Sequence, residues 1–177
     1  MYRPAARPPL RAAAAGVAAV AAVVGLTGCG SSGSGSTRDA LLELPVPSSV
    51  TVTTRTVAGL GTILVDGAGR ALYLFPPDAH SHVSCTGACA GIWPPLVIAD
   101  GHHATAGRGV RAAELGTVAD PNTGARAVTY AGYPLYRYSG DLAAGDARGQ
   151  ALVNSGGPWY VLSPDGKPIV THPAGTP

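Results

Sequence analysis

Beyond residue 50 the dominant pattern is short runs in which apolar and polar residues alternate. Val50 to Val57 alternates Val with Thr and Arg. Thr62–Val65, Arg70–Phe75, Arg126–Tyr130, Pro134–Tyr138, Trp159–Leu162 and Pro168–Thr171 also read as strands. Asp66-Gly67-Ala68-Gly69, Ala131-Gly132 and Pro164-Asp165-Gly166 carry the residues of hairpin turns. No apolar period of 3.6 residues persists past the Ser/Gly-rich stretch Gly30–Thr37. The local helix expected is a short one around Thr86 to Ile92, ahead of the breaker Pro94-Pro95. The pattern therefore predicts a mainly β fold, a compact antiparallel β domain with short helical turns over residues 50–172, followed by a tail at 173–177.

The domain contains two related copies of one unit. Leu72-Tyr73-Leu74-Phe75-Pro76-Pro77-Asp78 matches Leu135-Tyr136-Arg137-Tyr138-Ser139-Gly140-Asp141 at an offset of 63 residues. A Trp follows each Tyr, 20 residues on at Trp93 and 23 residues on at Trp159. Leu60-Gly61-Thr62 and Leu115-Gly116-Thr117 look like a further correspondence. Two such units are expected to pack about a pseudo-twofold axis, neither burying a core alone.

The start of the chain obeys other rules. Arg3, Arg7 and Arg11 precede an uncharged apolar run from Ala12 to Leu26, too short and Ala-rich for a comfortable membrane span. Residues 1–28 read as a secretory signal. Its end, Leu26-Thr27-Gly28-Cys29, resembles the bacterial lipobox, which implies cleavage before Cys29 and diacylglycerol on the Cys29 sulfur. Two acyl chains on one residue suffice for stable anchoring. Residues 29–49 then form the lipidated Cys and a flexible Ser/Gly/Pro linker. The expected location is the extracytoplasmic face of a bacterial cell membrane, with the membrane as the first partner.

Composition follows from this division. The 177 residues carry 12 Lys+Arg and 10 Asp+Glu, a formal charge of +2. Without residues 1–28 the chain has 149 residues, nine basic and ten acidic. That excludes a strongly basic nucleic-acid binder. Of three cysteines, Cys29 goes to the lipid, leaving Cys85 and Cys89 as a pair in an oxidising compartment.

The repeated motif resembles that of the bacterial secreted-repeat lipoproteins, written Tyr-x-(Phe/Trp/Tyr)-x-x-Asp. Leu64-Val65-Asp66, Cys85-Thr86-Gly87-Ala88-Cys89, Trp93-Pro94-Pro95-Leu96, Gly132-Tyr133-Pro134-Leu135-Tyr136 and Trp159-Tyr160-Val161 are similar to stretches of the same family. The resemblance spans about Leu60 to Gly166. It implies an envelope or secreted protein, and it brings no function and no established catalytic residues. The second copy lacks the Cys pair.

The candidate chemistry is sparse. Tyr73 and Phe75 share one face of a strand, as do Tyr136 and Tyr138. They are either core aromatics, with Asp78 and Asp141 capping the turn after the strand, or an exposed ligand platform with a carboxylate at its edge. Tyr130, Tyr136 and Tyr138 on one exposed face would favour the platform. Cys85 and Cys89, spaced i, i+4 on a helix, stand about 6 Å apart, within disulfide range. Alternatively, His80, His82, Cys85 and Cys89 offer nitrogen and sulfur ligands for Zn or Cu, or the Cys pair is redox-active. His102, His103 and His172 read as solvated loop residues. The sequence has no Gly-x-Ser-x-Gly elbow, no His-Glu-x-x-His and no Walker loop. No cofactor is implied. The function expected is a lipid-anchored, non-enzymatic binding or interaction module for an envelope protein or a small molecule. The alternative is a redox or metal-handling accessory, with an enzyme third.

Overall fold

The computed structural model describes residues 45–78 and 82–171. The signal, Cys29, most of the linker, His80 and the 173–177 tail lie outside these residues. Eleven short strands run in the order β1 (Thr51–Val57), β2 (Gly61–Asp66), β3 (Tyr73–Leu74), β4 (Val97–Ile98), β5 (Thr105–Ala106), β6 (Leu115–Ala119), β7 (Arg126–Tyr130), β8 (Tyr133–Pro134), β9 (Val153–Asn154), β10 (Gly157–Pro158) and β11 (Tyr160–Val161). Among the described residues one α-helix, α1 (Ala88–Ile92), follows Gly87, which is held at φ 58°. The fold is mainly β and mainly antiparallel, with two repeats and few helical turns.

Each repeat begins with an antiparallel hairpin, β1–β2 in the first and β6–β7 in the second. Leu64 then pairs with Leu72, and Val128 with Leu135, bringing each motif segment back along its hairpin. The turn between them is one residue shorter in the second copy. Ala131 and Gly132, both at positive φ, make a tight hairpin turn there. In the first copy the Asp66 carboxylate closes a longer turn by accepting the Ala68 and Arg70 N–H groups. On that alignment Leu60-Gly61-Thr62 corresponds to Gly124-Ala125-Arg126, leading into β7. Leu115-Gly116-Thr117 belongs to β6, the counterpart of β1, and that expected correspondence is corrected.

The two motif segments meet at the centre. Tyr73 and Tyr136 exchange both backbone hydrogen bonds, each at 2.9 Å. The segment after each Trp then crosses to the other repeat. β11, after Trp159, pairs with β3, Val161 opposite Tyr73. Pro95, after Trp93, bridges to Tyr136, and Leu96 donates to the Leu135 carbonyl at 2.8 Å. The pairing is reciprocal, as an approximate twofold axis through the Tyr73–Tyr136 bridge requires.

The central strands are covered on both faces. Ile63, Val65, Tyr73, Phe75 and Tyr136 belong to one apolar cluster, and Leu64, Leu72, Leu74, Val128 and Leu135 to another. Alternate residues feed opposite clusters, which is why Ile63–Val65 and Ala71–Phe75 are apolar without a break. The strands expected over Arg70–Phe75, Pro134–Tyr138 and Pro168–Thr171 are shorter than predicted. In the first two, each residue changes partner along the crossing, and near Pro168 there is one bridge, to Leu162. β6 was not expected, since Gly116 weakens the strand pattern. Its missing side chain is matched by Thr129, whose Oγ1 would lie 2.9 Å from an added Cβ.

Gly149 shows how tightly the centre is filled. A Cβ there would stand 2.7 Å from Trp93 Cη2 and 3.0 Å from Tyr73 Cε1. Gly149→Ala is expected to cost about 1–3 kcal/mol through overpacking, measured by the denaturant midpoint at unchanged m-value. An unchanged midpoint would mean that these rings have room to move.

Candidate functional site

The repeated motif builds the centre of the domain. Tyr73 and Tyr136 are fully buried, Asp78 likewise, and Asp141 nearly so at 7% exposure. The Tyr73 hydroxyl donates to Asp141 Oδ2 at 2.6 Å, and the Tyr136 hydroxyl to Asp78 Oδ2 at 2.5 Å. Each tyrosine thus bonds the carboxylate of the other repeat. Each carboxylate uses its second oxygen to close its own loop: Asp78 Oδ1 accepts the Ser84 N–H at 2.9 Å, and Asp141 Oδ1 the Arg148 N–H at 2.8 Å. The Gly149 N–H donates to the Tyr73 oxygen at 3.2 Å, and the Cys85 N–H stands against the Tyr136 oxygen in the matching place.

Around these pairs lies a stack of four rings. Phe75 stacks on Trp159 at 4.3 Å between centroids, Trp159 on Trp93 at 4.1 Å, and Trp93 against Tyr138 at 4.5 Å. Tyr73 and Tyr136 meet Trp93 and Trp159 edge-on. The outer rings are again exchanged, Phe75 of the first copy lying on Trp159 of the second. Such ring pairs contribute about 0.5–1.5 kcal/mol each beyond area burial.

The expected ligand platform of Tyr73, Phe75, Asp78, Tyr136, Tyr138 and Asp141 is corrected in its placement. Tyr138 is half-buried and the other five are buried, so they present no exposed aromatic face. Tyr130 lies in the opposite apolar cluster and shares no exposed face with Tyr136 and Tyr138. The reason is the double coverage of the motif strands, which puts both of their faces inside.

Burial shapes the ionisation of the motif. It pushes the Tyr73 phenol well above its usual range, and the adjacent Asp141 charge adds to the rise. Burial raises the Tyr136 phenol in the same way, followed by its bond to Asp78. The Asp141 carboxyl is also raised, because burial outweighs the lowering by the Tyr73 hydroxyl and the Arg148 N–H.

Cys85 and Cys89 form a disulfide with Cα atoms 5.3 Å apart. Cys85 is buried; Ser84, just ahead of the disulfide loop, bonds Asp78, and the Cys85 N–H stands against Tyr136. Asn122 of the second repeat holds the same loop, donating to the Cys85 carbonyl at 3.0 Å and accepting from the Gly87 N–H. Bonded to each other, the two sulfurs are not the thiolates that the Zn or Cu reading needs. His82 is exposed, and among the described residues no group of three or more His, Cys, Asp or Glu is gathered for a metal.

Two surface features escaped the sequence reading. One is a groove of about 350 Å³ between the β1–β2 turn, with Val57 and Leu60, and the loop bearing Asp146, Arg148, Gln150 and Leu152. Leu142 and Val153, each 80% exposed, belong to the same stretch of chain. The other is the pairing of Arg70 and Arg137 with the buried Asp66. Asp66 had shown itself only as a turn residue, and nothing in the spacing links it to Arg137.

Two interlocked β repeats with a shared aromatic centre define the class of this domain. The family described as a secreted repeat of unknown function matches the chain twice, over residues 54–97 and 117–163, just over half of its length. The chain belongs to that family, whose description indicates an extracellular location. No curated protein and no solved structure matches the chain. Among the described residues no helix is long and apolar enough to cross a membrane.

The raised phenols carry a pH signature. In the unfolded chain both tyrosines ionise near pH 10, whereas in the folded chain they stay protonated. Their contribution is complete below about pH 10 and is lost as the pH rises, at up to about 2.7 kcal/mol per pH unit for two protons. Denaturation between pH 9 and 12, on the scale of the ordinary tyrosine pKa, is expected to show this slope. The double variant Tyr73→Phe/Tyr136→Phe is expected to lose it. Equal slopes in both proteins would show that these phenols ionise freely in the fold.

Proposed function

We propose that this chain is a lipid-anchored, extracytoplasmic binding module that holds a partner without transforming it. The observation that carries this reading is the closure of the motif. The Tyr and Asp side chains at the first and last positions of the two motif copies, two hydroxyls and two carboxylates, are engaged with one another inside the domain. A general base or nucleophile needs a reacting atom within hydrogen-bond reach, and here that reach is filled by protein. The motif thus serves as the frame, and the loops it supports provide the surface on which a partner binds. An envelope protein or a small molecule is the partner class that fits an anchored domain of this size.

The anchor reading rests on Leu26-Thr27-Gly28-Cys29 and is supported by membership in a secreted family. The Ser/Gly stretch from Gly30 to Thr37 would give the domain slack above the membrane. Metabolic labelling with an alkyne fatty acid is expected to mark the wild-type chain but not Cys29→Ala. The variant is expected to leave the membrane fraction on a salt wash. An unlabelled Cys29→Ala chain that stays with the membrane in high salt would contradict the anchor.

A further inference from the structure

At two of the positions where the copies differ, one copy carries a charge and the other none, and the fold brings those two charges together. Asp66 ends β2, where the second copy has Tyr130 ending β7. Arg137 stands in the motif where the first copy has Leu74, a residue that is 1% exposed in an apolar cluster. The frame needs neither charge, since each has an apolar or aromatic counterpart in the other copy. Yet Arg137 Nε lies 2.9 Å from Asp66 Oδ2.

Arg70 completes the cluster. Its Nε donates to Asp66 Oδ2 at 3.0 Å, and its Nη2 lies 2.9 Å from the same oxygen. Asp66 Oδ1 is occupied by the Ala68 and Arg70 N–H groups. The carboxylate is 4% exposed, whereas the Arg70 and Arg137 side chains are 40% and 31% exposed. One buried negative charge therefore faces two half-buried positive ones. Arg137 is the less well served: a single ion-pair contact, from its buried Nε, ties it to Asp66, whereas Arg70 reaches the same oxygen through both Nε and Nη2. Burial and the like charge of Arg70 pull its pKa below the usual arginine range, against the opposing pull of Asp66. An anion at the exposed ends of the two guanidiniums would offset their mutual repulsion.

Space for one exists. Arg70, Arg137 and Asp66 line a concavity of about 310 Å³, together with Ser49, Thr51 and Pro47, and no other charged residue lines it. We propose that Arg70 and Arg137, held in place by Asp66, bind a singly charged oxyanion, a carboxylate or a phosphodiester group. Two guanidiniums and one carboxylate leave a single positive charge, which one such group neutralises. Guanidinium N–H forks match the paired oxygens of either group. Asp66 positions the two arginines, and at 4% exposure it shows the concavity little of its own charge. This inference gives the binding reading a ligand chemistry and rests on it for its biological meaning. The Cys29→Ala test of the anchor stands apart, so either can fail alone.

The test is ¹⁵N NMR of the full chain in non-ionic detergent, titrated with acetate or dimethyl phosphate against chloride at equal ionic strength. Saturable shifts are expected at the Ala68 and Arg70 amides and at the Arg70 and Arg137 Nε groups. Arg137→Leu restores the residue of the first copy and leaves Asp66 its Arg70 partner. This variant is expected to bind at least about tenfold more weakly, for the loss of one charge-assisted fork. Arg137→Lys keeps the charge without the fork and is expected to weaken binding too, which preserves the test if the Leu variant fails to fold. Saturation by acetate alone assigns a carboxylate ligand, and by dimethyl phosphate alone a lipid-type phosphodiester. No saturable shift with either anion, or equal binding by wild type and the folded variant, would overturn the site.

Discussion

Everything in this domain hangs on two hydroxyl–carboxylate pairs that cross between its halves. Tyr73 bonds Asp141 and Tyr136 bonds Asp78, and the two tyrosine backbones bond each other. A buried carboxylate without a partner is costly, and a buried phenol without one costs about 1–3 kcal/mol. Neither half can satisfy its own motif. In the first copy Ser84 reaches Asp78 Oδ1, but Asp78 Oδ2 takes its hydroxyl from Tyr136 of the second, and the Tyr73 hydroxyl finds its carboxylate in Asp141. The same holds for the rings and strands: Phe75 needs Trp159, Tyr138 needs Trp93, and each post-Trp segment needs the other copy's motif. Folding of the two halves is therefore one event in physical terms, although the sequence is written as two units.

The crossed pairs also fix register. A slip of one residue at the Tyr73–Tyr136 bridge would turn each tyrosine to the opposite apolar cluster and strand two carboxylates. An all-apolar motif would pack as densely but would tolerate more than one alignment. The disulfide acts on the same point from outside, since it anchors Cys85, whose N–H meets Tyr136 and whose neighbour Ser84 bonds Asp78. The second repeat does without a disulfide, its loop from Asp146 to Gly149 being tied by the Arg148 N–H to Asp141 and the Gly149 N–H to Tyr73.

Much of this was legible from local chemistry. The alternation over 50–57, the Ala131-Gly132 turn and the short helix before Pro94 all follow from residues within a few positions of one another. The disulfide follows from spacing and compartment. The motif itself was visible, but its direction was not. When a strand is covered on both faces, as at Leu72-Tyr73-Leu74-Phe75, alternation no longer distinguishes core from surface. The partner of Tyr73 is 68 residues away, a tertiary fact with no local signal. Arg137 is similar: its departure from Leu74 can be read by aligning the copies, but its meeting with Asp66 comes only from the crossing of the strands.

A double-mutant cycle on equilibrium stability tests the central claim most directly. Tyr→Phe and Asp→Asn changes, combined for Tyr73 with Asp141 and for Tyr136 with Asp78, are predicted to show coupling of about 0.5–3 kcal/mol. Tyr73 with Asp78, and Tyr136 with Asp141, are predicted to be additive within about 0.5 kcal/mol. Coupling confined to the pairs within one copy would contradict the interlocked account.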